Sequence, residues 1–378
     1  MDYWNLFAVP SPCFVVDAVA LQKNLDLLAQ VQKRSGARIL LALKAFSLFA
    51  LAGMVREALC GTSASSVDEA RLGFEEYGGE VHVVCPAYKD QDFDAILRFA
   101  DHVIFNSFSQ WERFRGRLLA AKKVRAGIRV NPEHREVDVE LYDPCAPLSR
   151  LGVTRKNFRP DLLNGVSGLH FHTLCEKDAQ ALGRTLAAFE DKFGGFLHQV
   201  SWVNFGGGHH ITRPGYDVDF LCGLIADFKK RWPLEVYLEP GEAVALNSGI
   251  LVAEVQDVVQ NKMNIAILDA SATAHTPDVL EMPYRPQIIG AANPGELAHT
   301  FRLAGVSCLA GDIFGDYSFE KPLKIGDRLA FTDMAHYSMV KNNTFNGVRL
   351  PSIAVRNPDG SCRVIRRFGY EDFKGRLS

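Results

Sequence analysis

The chain has 378 residues, 47% of them apolar, which exceeds what one hydrophobic core usually holds and predicts two domains. Its 42 basic and 44 acidic residues leave a net charge of −2 without a basic block, which argues against nucleic-acid binding. The eight cysteines lie far apart without a Cys-x-x-Cys pair, and neither a secretion signal nor an uninterrupted membrane segment is recognisable. We therefore expect a soluble cytoplasmic protein with reduced thiols and no membrane contact.

Short apolar runs alternate with segments of helical period over the first two thirds of the chain. Strand followed by helix, repeated about eight times, is typical of a parallel (β/α)8 barrel of the TIM type. A doubly wound open sheet is the alternative, but no glycine-rich turn opens the chain to support it. The predicted strands are Phe14 to Val16, Ile39 to Leu43, Gly61 to Ala64, Val81 to Cys85, His102 to Phe105, Lys123 to Val130, Gly168 to Phe171, Val200 to Phe205 and Leu234 to Leu238.

After about Ala245 the sequence changes to short β-prone pieces separated by Gly, Pro, Asn and Asp. This predicts an α/β barrel over residues 16–245 and a mostly antiparallel β domain over residues 246–378, joined by residues 1–15. The β-prone pieces are Gly249 to Asn261, Asn264 to Ala270, Val306 to Leu309, Arg328 to Phe331 and Arg363 to Arg366.

Lys44 stands at the end of the apolar run Ile39 to Leu43, where the strand pattern points inward. A charged residue in such a place needs a reason. One explanation is a lysine that buries its aliphatic stem and keeps its ammonium in water. The other is an amine whose pKa is lowered by burial and which bonds covalently to a carbonyl cofactor. The run by itself leaves both explanations open.

Polar or glycine motifs end three further predicted strands: His172, the run Gly206 to Gly208, and the run Glu239 to Glu242. The chemistry of a β/α barrel lies at the carboxyl ends of its strands, so these motifs are expected to share one site with Lys44. The three glycines suit a loop whose backbone amides approach an anion closely.

The His-x-His spacing of His170 and His172 also fits a metal-dependent barrel hydrolase, with His209 and His210 as possible further ligands. Those hydrolases usually carry the pair on the first strand and need a late metal-binding aspartate, and neither feature is clear here. The metal site is therefore the minority interpretation, and a structural core histidine is a third.

Several motifs occur in the order found in the fold type III pyridoxal-phosphate decarboxylases, and the chain resembles that family over nearly its whole length. Within the family it resembles the carboxynorspermidine and carboxyspermidine decarboxylases, through Leu41 to Ser47, His172 to Glu176 and Asn204 to His210. The shared motifs are Ala42-Leu43-Lys44-Ala45, Gly168-Leu169-His170-Phe171-His172, Phe205-Gly206-Gly207-Gly208, Glu239-Pro240-Gly241 and Cys308-Leu309-Ala310-Gly311-Asp312.

The resemblance implies a site for pyridoxal 5'-phosphate in which Lys44 bonds covalently to the cofactor and His172 stacks on its pyridine ring. Glu239 would face the pyridine nitrogen and keep it protonated, so that the ring can draw off the electrons left by CO₂. Arg150 would lie near the cofactor, although a surface arginine explains it equally well. The groups implied to bind the phosphate are the backbone amides of Gly206, Gly207, Gly208 and Gly241, and the side chain of Tyr337.

The resemblance also implies that Cys308 acts from the second subunit of a homodimer, returning a proton to the substrate carbon after CO₂ leaves. Asp312 follows at the family spacing and would lie beside the substrate. Without the resemblance, Cys308 would be interpreted as a small buried apolar residue. If the implied roles hold, two active sites are shared across the dimer and a monomer is inactive.

Two departures from the family pattern bear on the substrate. Many relatives have arginine where this chain has Glu242, and relatives that use ornithine or diaminopimelate have an acid where it has Leu309. A carboxylate cannot bind phosphate, but it can bind an ammonium in a dry pocket. Glu242 and Asp278 are therefore expected to hold the distal amines of a carboxylated triamine, although Asp278 is explained equally well by a Pro-Asp turn.

We therefore expect a carboxy-lyase of polyamine biosynthesis that converts carboxynorspermidine or carboxyspermidine to norspermidine or spermidine. Within the same fold, a diaminopimelate, ornithine or arginine decarboxylase is the alternative. A metal-dependent hydrolase using His170 and His172 is the alternative from another class.

Overall fold

The computed structural model describes residues 5–378, so residues 1–4 of the predicted N-terminal part lie outside the described residues. The chain divides into two compact units, Lys23–Val244 and the described residues up to Gln22 together with Ala245–Ser378. The strand β1 (Cys13–Asp17) belongs to the second of these. The helices that precede or surround the barrel strands are α1 (Ala18–Ser35), α2 (Ala52–Ala58), α3 (Val67–Leu72), α4 (Asp90–Phe99), α5 (Phe108–Ala120), α6 (Ala179–Phe193), α7 (Val218–Arg231) and α8 (Glu242–Ala245).

Eight parallel strands of the first unit close into a barrel in chain order, which confirms the predicted fold class. Each of the eight strand predictions from Ile39 onward corresponds to one barrel strand. Most of these runs are largely apolar because both faces of a parallel barrel strand are buried. The barrel strands are β2 (Arg38–Ala42), β3 (Gly61–Ala64), β4 (Glu80–Val84), β5 (His102–Phe105), β6 (Arg125–Arg129), β7 (Val166–His170), β8 (Trp202–Asn204) and β9 (Glu235–Leu238).

A large aromatic residue fills the barrel interior where two neighbouring strands carry glycine. Trp202 is fully buried in a cluster with Leu40, Ile104 and Tyr237. A Cβ atom on Gly168 would lie 2.0 Å from the Trp202 ring, so only glycine fits at that position. In the same way, Gly127 leaves room for the far edge of the ring, 2.4 Å from where its Cβ would be.

The strand register places the residues of the next layer side by side. Arg129 pairs with His170, and His170 pairs with Asn204. Side chains two positions apart on a strand share a face, so these three follow the positions of Gly127, Gly168 and Trp202 on the interior side. A polar layer therefore lies directly above the apolar one at the carboxyl ends of the strands.

The glycine at position 168 can be tested by substitution. Gly168→Ala should lower the free energy of unfolding by about 2 kcal/mol because the added methyl overlaps the Trp202 ring. Gly116→Ala is the matched control, since a Cβ on that helical glycine would have nothing within 4 Å and alanine should raise stability by about 1 kcal/mol. The urea midpoints of both variants measure the effect, and an unchanged midpoint for Gly168→Ala would contradict the packing argument.

The second unit is a nine-stranded sheet in the order β12-β14-β13-β11-β10-β1-β16-β17, with β15 also paired to β10. The pairs β1–β16 and β11–β13 are parallel and the remaining pairs antiparallel, which confirms the predicted mostly antiparallel sheet. The elements after the barrel are β10 (Gly249–Asn261), β11 (Met263–Leu268), α9 (Ala272–His275), α10 (Asp278–Glu281), β12 (Ala291–Ala292), β13 (His299–Ala304), β14 (Ile313–Phe319), β15 (Arg328–Thr332), α11 (Ser338–Lys341), β16 (Ser352–Arg356), β17 (Cys362–Arg366) and α12 (Tyr370–Lys374).

One strand prediction in this unit is wrong. Val306 to Leu309 is a loop, and the strands are β13 and β14 on either side of it. The Val306 amide donates to the Ala270 carbonyl just beyond β11, and the amides of Ser307 and Cys308 donate to side chains instead of to a neighbouring strand. Among residues 5–378, no helix combines the length and the apolar character that a membrane crossing requires.

Candidate active site

Five polar side chains come from the carboxyl ends of five barrel strands. Arg129, His170 and Asn204 are the last residues of β6, β7 and β8. Lys44 follows β2 by two residues, and Glu239 directly follows β9. The closed barrel brings these strand ends to one rim, where chemistry in this fold is located.

Lys44 combines an accessible side chain with an amine whose pKa is lowered. Its neighbours Leu43 and Ala45 are buried, whereas Lys44 is exposed. Burial of the amine among protein atoms lowers its pKa, the nearby Arg129 guanidinium lowers it further, and the Glu239 carboxylate opposes the shift. The side chain therefore reaches solvent, while the protein atoms around it still disfavour the charged form of its amine. A lowered pKa makes an amine more readily available as a nucleophile.

The backbone around Lys44 is tied to the end of β9. The Ala42 amide donates to the Pro240 carbonyl over 3.0 Å. A Cβ atom on Gly241 would lie 2.6 Å from the Cβ of Ala45, so glycine permits this close approach. The lysine turn and the Glu239-Pro240-Gly241 motif are therefore fixed against each other.

Glu239 is a buried carboxylate with a donor on each oxygen. Its Oε1 accepts from Asn204 Nδ2 over 2.7 Å, and its Oε2 accepts from His170 Nε2 over 3.2 Å. Burial favours the neutral acid, but the His170 ring and the Asn204 amide outweigh it and lower the pKa of Glu239 to about 2. The group is therefore an anion at neutral pH, suited to face a protonated ring nitrogen.

His172 and the glycine loop hold each other in place. The Gly207 amide donates to His172 Nδ1 over 2.9 Å, and the Gly206 amide donates to Asn204 Oδ1 over 2.8 Å. Burial, followed by the charges of Lys44 and Arg129, holds the pKa of His172 well below its ordinary value, which suits a neutral ring that accepts at Nδ1. Two of the predicted phosphate-binding amides are thus already bonded within the protein.

The amides of Gly208 and Gly241 differ from those two. No hydrogen bond from either amide to another described residue occurs. Gly208 has φ +84°, and a Cβ there would lie 1.8 Å from the Leu174 carbonyl oxygen. Both amides therefore lack a protein acceptor among the described residues, and phosphate binding by them stays a prediction.

Sequence reasoning missed three residues of this group: Arg129, Asn204 and Glu69. Arg129 is only 8% exposed and donates from Nη2 to the His172 carbonyl over 3.1 Å. Glu69 accepts from the Ser65 amide over 2.6 Å and opposes the lowered pKa of Lys44. Arg129 and Asn204 could have been found by the same signal as Lys44, a polar residue at the end of an apolar strand run.

Arg150 and Glu242 also belong to the first unit. Arg150 is exposed, its carbonyl accepts from Asn106 Nδ2 over 2.7 Å, and its charge helps to lower the pKa of Arg129. Glu242 begins α8, and its Oε2 lies 3.2 Å from Nε2 of the buried His210. The predicted roles of both residues stay predictions.

The other predicted site residues belong to the second unit. Tyr337 precedes α11 with φ 43°, a strained conformation of the kind that clusters at functional sites. Cys308 is exposed, whereas Asp312 is buried. Asp278 is paired with Lys341, which also contacts Glu281 over 2.7 Å.

The histidine pair proposed for a metal has other partners. His170 binds Glu239, and His172 accepts from the Gly207 amide. A different group of side chains in the described part of the chain could hold a metal ion by distance. It consists of Glu80, His82 and His102, whose ligand atoms all lie within 4.8 Å of one another. The rings of His82 and His102 stack 3.9 Å apart with 26° between their planes, which is a packing contact.

An amine of lowered pKa, a buried carboxylate, an imidazole ring and two amides without a protein acceptor fit the functional groups of pyridoxal 5'-phosphate. The family model described as "Pyridoxal-dependent decarboxylase, C-terminal sheet domain" matches residues 13–335. The chain belongs to the pyridoxal-dependent decarboxylase family. It is a carboxy-lyase whose cofactor is pyridoxal 5'-phosphate.

Two relatives of known name align with this chain over almost its whole length. A carboxyaminopropylagmatine decarboxylase of Synechocystis is 46% identical over 99% of this chain and 97% of its own length. A carboxynorspermidine/carboxyspermidine decarboxylase of Campylobacter jejuni is 42% identical over 97% of this chain and 98% of its own. Diaminopimelate decarboxylase of Vibrio cholerae is 26% identical over 65% of this chain.

Solved structures agree with this placement. Carboxynorspermidine decarboxylase of Campylobacter jejuni, complexed with norspermidine, superposes with a TM-score of 0.91 at 40% identity, covering 97% of this chain and 100% of that one. A diaminopimelate decarboxylase superposes with a TM-score of 0.80 at 19% identity, which shows the shared fold alone.

The residues of the decarboxylase have separable tasks at this rim. When bound, pyridoxal 5'-phosphate supplies a ring that draws off the electron pair left by the departing CO₂. Lys44 would bond to its aldehyde carbon, and the Glu239 carboxylate would hold a proton on its ring nitrogen. His172, whose Nδ1 accepts from the Gly207 amide, would present its ring for stacking. Arg129 favours the neutral Lys44 amine that cofactor attachment requires.

The effect of Arg129 on Lys44 can be measured during reconstitution. In Arg129→Gln, loss of the cation should raise the pKa of Lys44, leaving less neutral amine at pH 7. Cofactor attachment, followed by absorbance in apoenzyme reconstitution, should slow at pH 7, and the midpoint of its rate–pH curve should move to higher pH. Arg125→Gln is the matched control on the same strand, since Arg125 pairs with Glu235 over 2.9 Å, and it should leave the midpoint in place. An unshifted midpoint in Arg129→Gln would refute this role.

Proposed function

We propose that the decarboxylase removes the α-carboxylate of carboxynorspermidine or carboxyspermidine to give norspermidine or spermidine. The observation that carries the proposal is the near-complete superposition on a carboxynorspermidine decarboxylase that holds norspermidine. The 42% identity to a curated enzyme of the same name supports it. Diaminopimelate, ornithine and arginine decarboxylation are less favoured, because the diaminopimelate relatives match at lower identity over less of the chain.

A second candidate substrate is carboxyaminopropylagmatine, because the relative at 46% identity carries that name. Both substrate types share an amino-acid head and a distal cationic end. They differ at that end, where agmatine has a planar guanidinium and a polyamine has an ammonium. A carboxylate that binds the guanidinium must match its planar fork of donors, whereas one that binds the ammonium meets a compact point charge.

Glu242 is our candidate for the carboxylate that holds the distal cation. Its side chain is 20% exposed, so it is partly desolvated and still reachable. His210 Nε2 lies 3.2 Å from it and limits its freedom. Asp278 is the weaker candidate, since a substrate ammonium would have to displace Lys341 from it.

The substrate assignment is tested by CO₂ release from carboxynorspermidine, carboxyspermidine, carboxyaminopropylagmatine, diaminopimelate and ornithine. We expect kcat/KM for one carboxylated polyamine to exceed that for diaminopimelate by about 100-fold or more, since a buried acid left without its cation is costly. Glu242→Gln should raise KM for that substrate about tenfold. Lys44→Ala should abolish both CO₂ release and the absorbance of bound cofactor. Preference for diaminopimelate or ornithine would overturn the proposal.

We further propose that the enzyme is a cytoplasmic homodimer in which Cys308 serves the site of the partner subunit. All eight cysteines are free thiols, as in a reducing compartment. Cys308 is exposed in the single chain, whereas free cysteines are usually buried.

Subunit mixing tests the shared site. Lys44→Ala and Cys308→Ala subunits, each nearly inactive alone, should recover about a quarter of wild-type activity when mixed, because half of the dimers are mixed and each has one intact site. Mixing either variant with itself is the control. No recovery, with exchange of subunits verified by mass spectrometry, would mean that both residues serve the same chain.

A further inference from the structure

The position of Cys308 depends on the loop that joins β13 to β14. The Gly305 amide donates to the Asp312 carbonyl over 2.7 Å, which closes the loop at its base. The Asp312 amide donates to the Leu309 carbonyl over 2.9 Å, which turns the chain after the cysteine. The contacts that hold this loop in place therefore also set the position of the Cys308 thiol.

The Asp312 side chain is the anchor of the loop. It is only 2% exposed, and Oδ2 accepts from Ser271 Oγ over 2.8 Å and from the Ser307 amide over 3.1 Å. Its Oδ1 accepts from the Thr273 amide over 3.2 Å. Three donors of the chain itself surround this buried carboxylate, so it is poorly placed to bind a substrate ammonium.

Asn346 supplies a second tether next to the first. The Cys308 amide donates to Asn346 Oδ1 over 2.7 Å, while the preceding amide, that of Ser307, donates to Asp312. Two consecutive amides are thus held by two side chains from different segments. Asn346 adopts φ 57°, a conformation that asparagine tolerates better than most residues.

The surroundings of Asp312 fit this anchoring role. A Cβ atom on Gly305 would lie 2.3 Å from Asp312 Oδ2, so glycine makes room for the carboxylate inside the loop. Ser271 Oγ also accepts from the Ala274 amide over 3.1 Å at the start of α9. Asp312 thereby connects the cysteine loop to the buried turn at residues 271–273.

We propose that Asp312, with Asn346 as second tether, is a positioning residue for Cys308 rather than a group that binds substrate. This rests on the proposed function, in which Cys308 returns a proton to the substrate carbon. In that step the S–H bond breaks, a C–H bond forms with the electron pair left by CO₂, and the thiolate regains a proton from water. The resemblance implies a place for Asp312 beside the substrate, whereas its hydrogen bonds favour the positioning role.

Asp312→Asn is the informative variant because it nearly preserves shape. It replaces one acceptor oxygen by an NH₂ group that faces the donors of the loop and of residues 271–273. Asp316→Asn is the matched control four residues along, where the half-exposed carboxylate pairs with Arg302 over 2.7 Å. Asn346→Gly is the second variant, since glycine keeps the positive φ and removes only the tether.

Hydrogen exchange of the holoenzyme measures how firmly the loop amides are held, independently of activity. In Asp312→Asn, amides of residues 305–312 should exchange about tenfold faster than in wild type, and Asn346→Gly should accelerate the Cys308 amide. Asp316→Asn should leave this segment unchanged. Wild-type exchange rates in Asp312→Asn would overturn the proposal; if that variant does not fold, wild-type rates in Asn346→Gly would do so.

Steady-state kinetics with the carboxylated triamine separate positioning from substrate binding. Asp312→Asn should lower kcat about tenfold with KM unchanged, and should lower it no further in a Cys308→Ala background. A raised KM, or an equal loss in both backgrounds, would overturn the proposal and leave the proposed function standing. If Cys308→Ala retains full kcat, the proton-donor role fails and this inference fails with it. If wild type decarboxylates none of the triamines, the substrate assignment fails, and hydrogen exchange still decides the role of Asp312.

Discussion

The active-site rim depends on how the layer beneath it is filled. Trp202 occupies space that side chains at Gly127 and Gly168 would otherwise need, which makes an apolar floor inside the barrel. Polar groups directly above such a floor have little water to bind, so they must satisfy one another. Glu239 meets this demand with a donor on each oxygen and stays ionised. The strand register places those donors within reach, since His170 and Asn204 are direct partners.

Burial has opposite consequences for the two ionisable groups at the centre of the site. Glu239 keeps its charge because the amide and the imidazole that contact it offset the cost of desolvation. Lys44 has no hydrogen-bond acceptor among residues 5–378, and the cation of Arg129 adds to the cost of protonation. One rim therefore holds a carboxylate that stays ionised and a lysine whose pKa is lowered, the two groups that a carbonyl cofactor with a ring nitrogen would need.

The cysteine loop is held by a different principle from the barrel. Barrel side chains are positioned by strand register, whereas Cys308 stands on a loop without a ladder of backbone hydrogen bonds. Side-chain acceptors replace that ladder: Asp312 binds one amide and Asn346 binds the next. A buried carboxylate with several chain donors is a strong anchor because its loss would leave each donor unsatisfied.

The sequence by itself determined the elements whose signal is local. Short β-prone runs between helical segments marked all eight barrel strands, and the polar residues that end two of them marked Lys44 and Glu239. Only the tertiary structure decided which groups satisfy one another, because those contacts join strands far apart in the chain. It showed that the Gly206 and Gly207 amides already have protein acceptors, whereas those of Gly208 and Gly241 have none among the described residues. It also showed that the predicted strand at Val306 to Leu309 is a loop. The side chains that accept from its Ser307 and Cys308 amides belong to residues 312 and 346, and no local pattern reveals them.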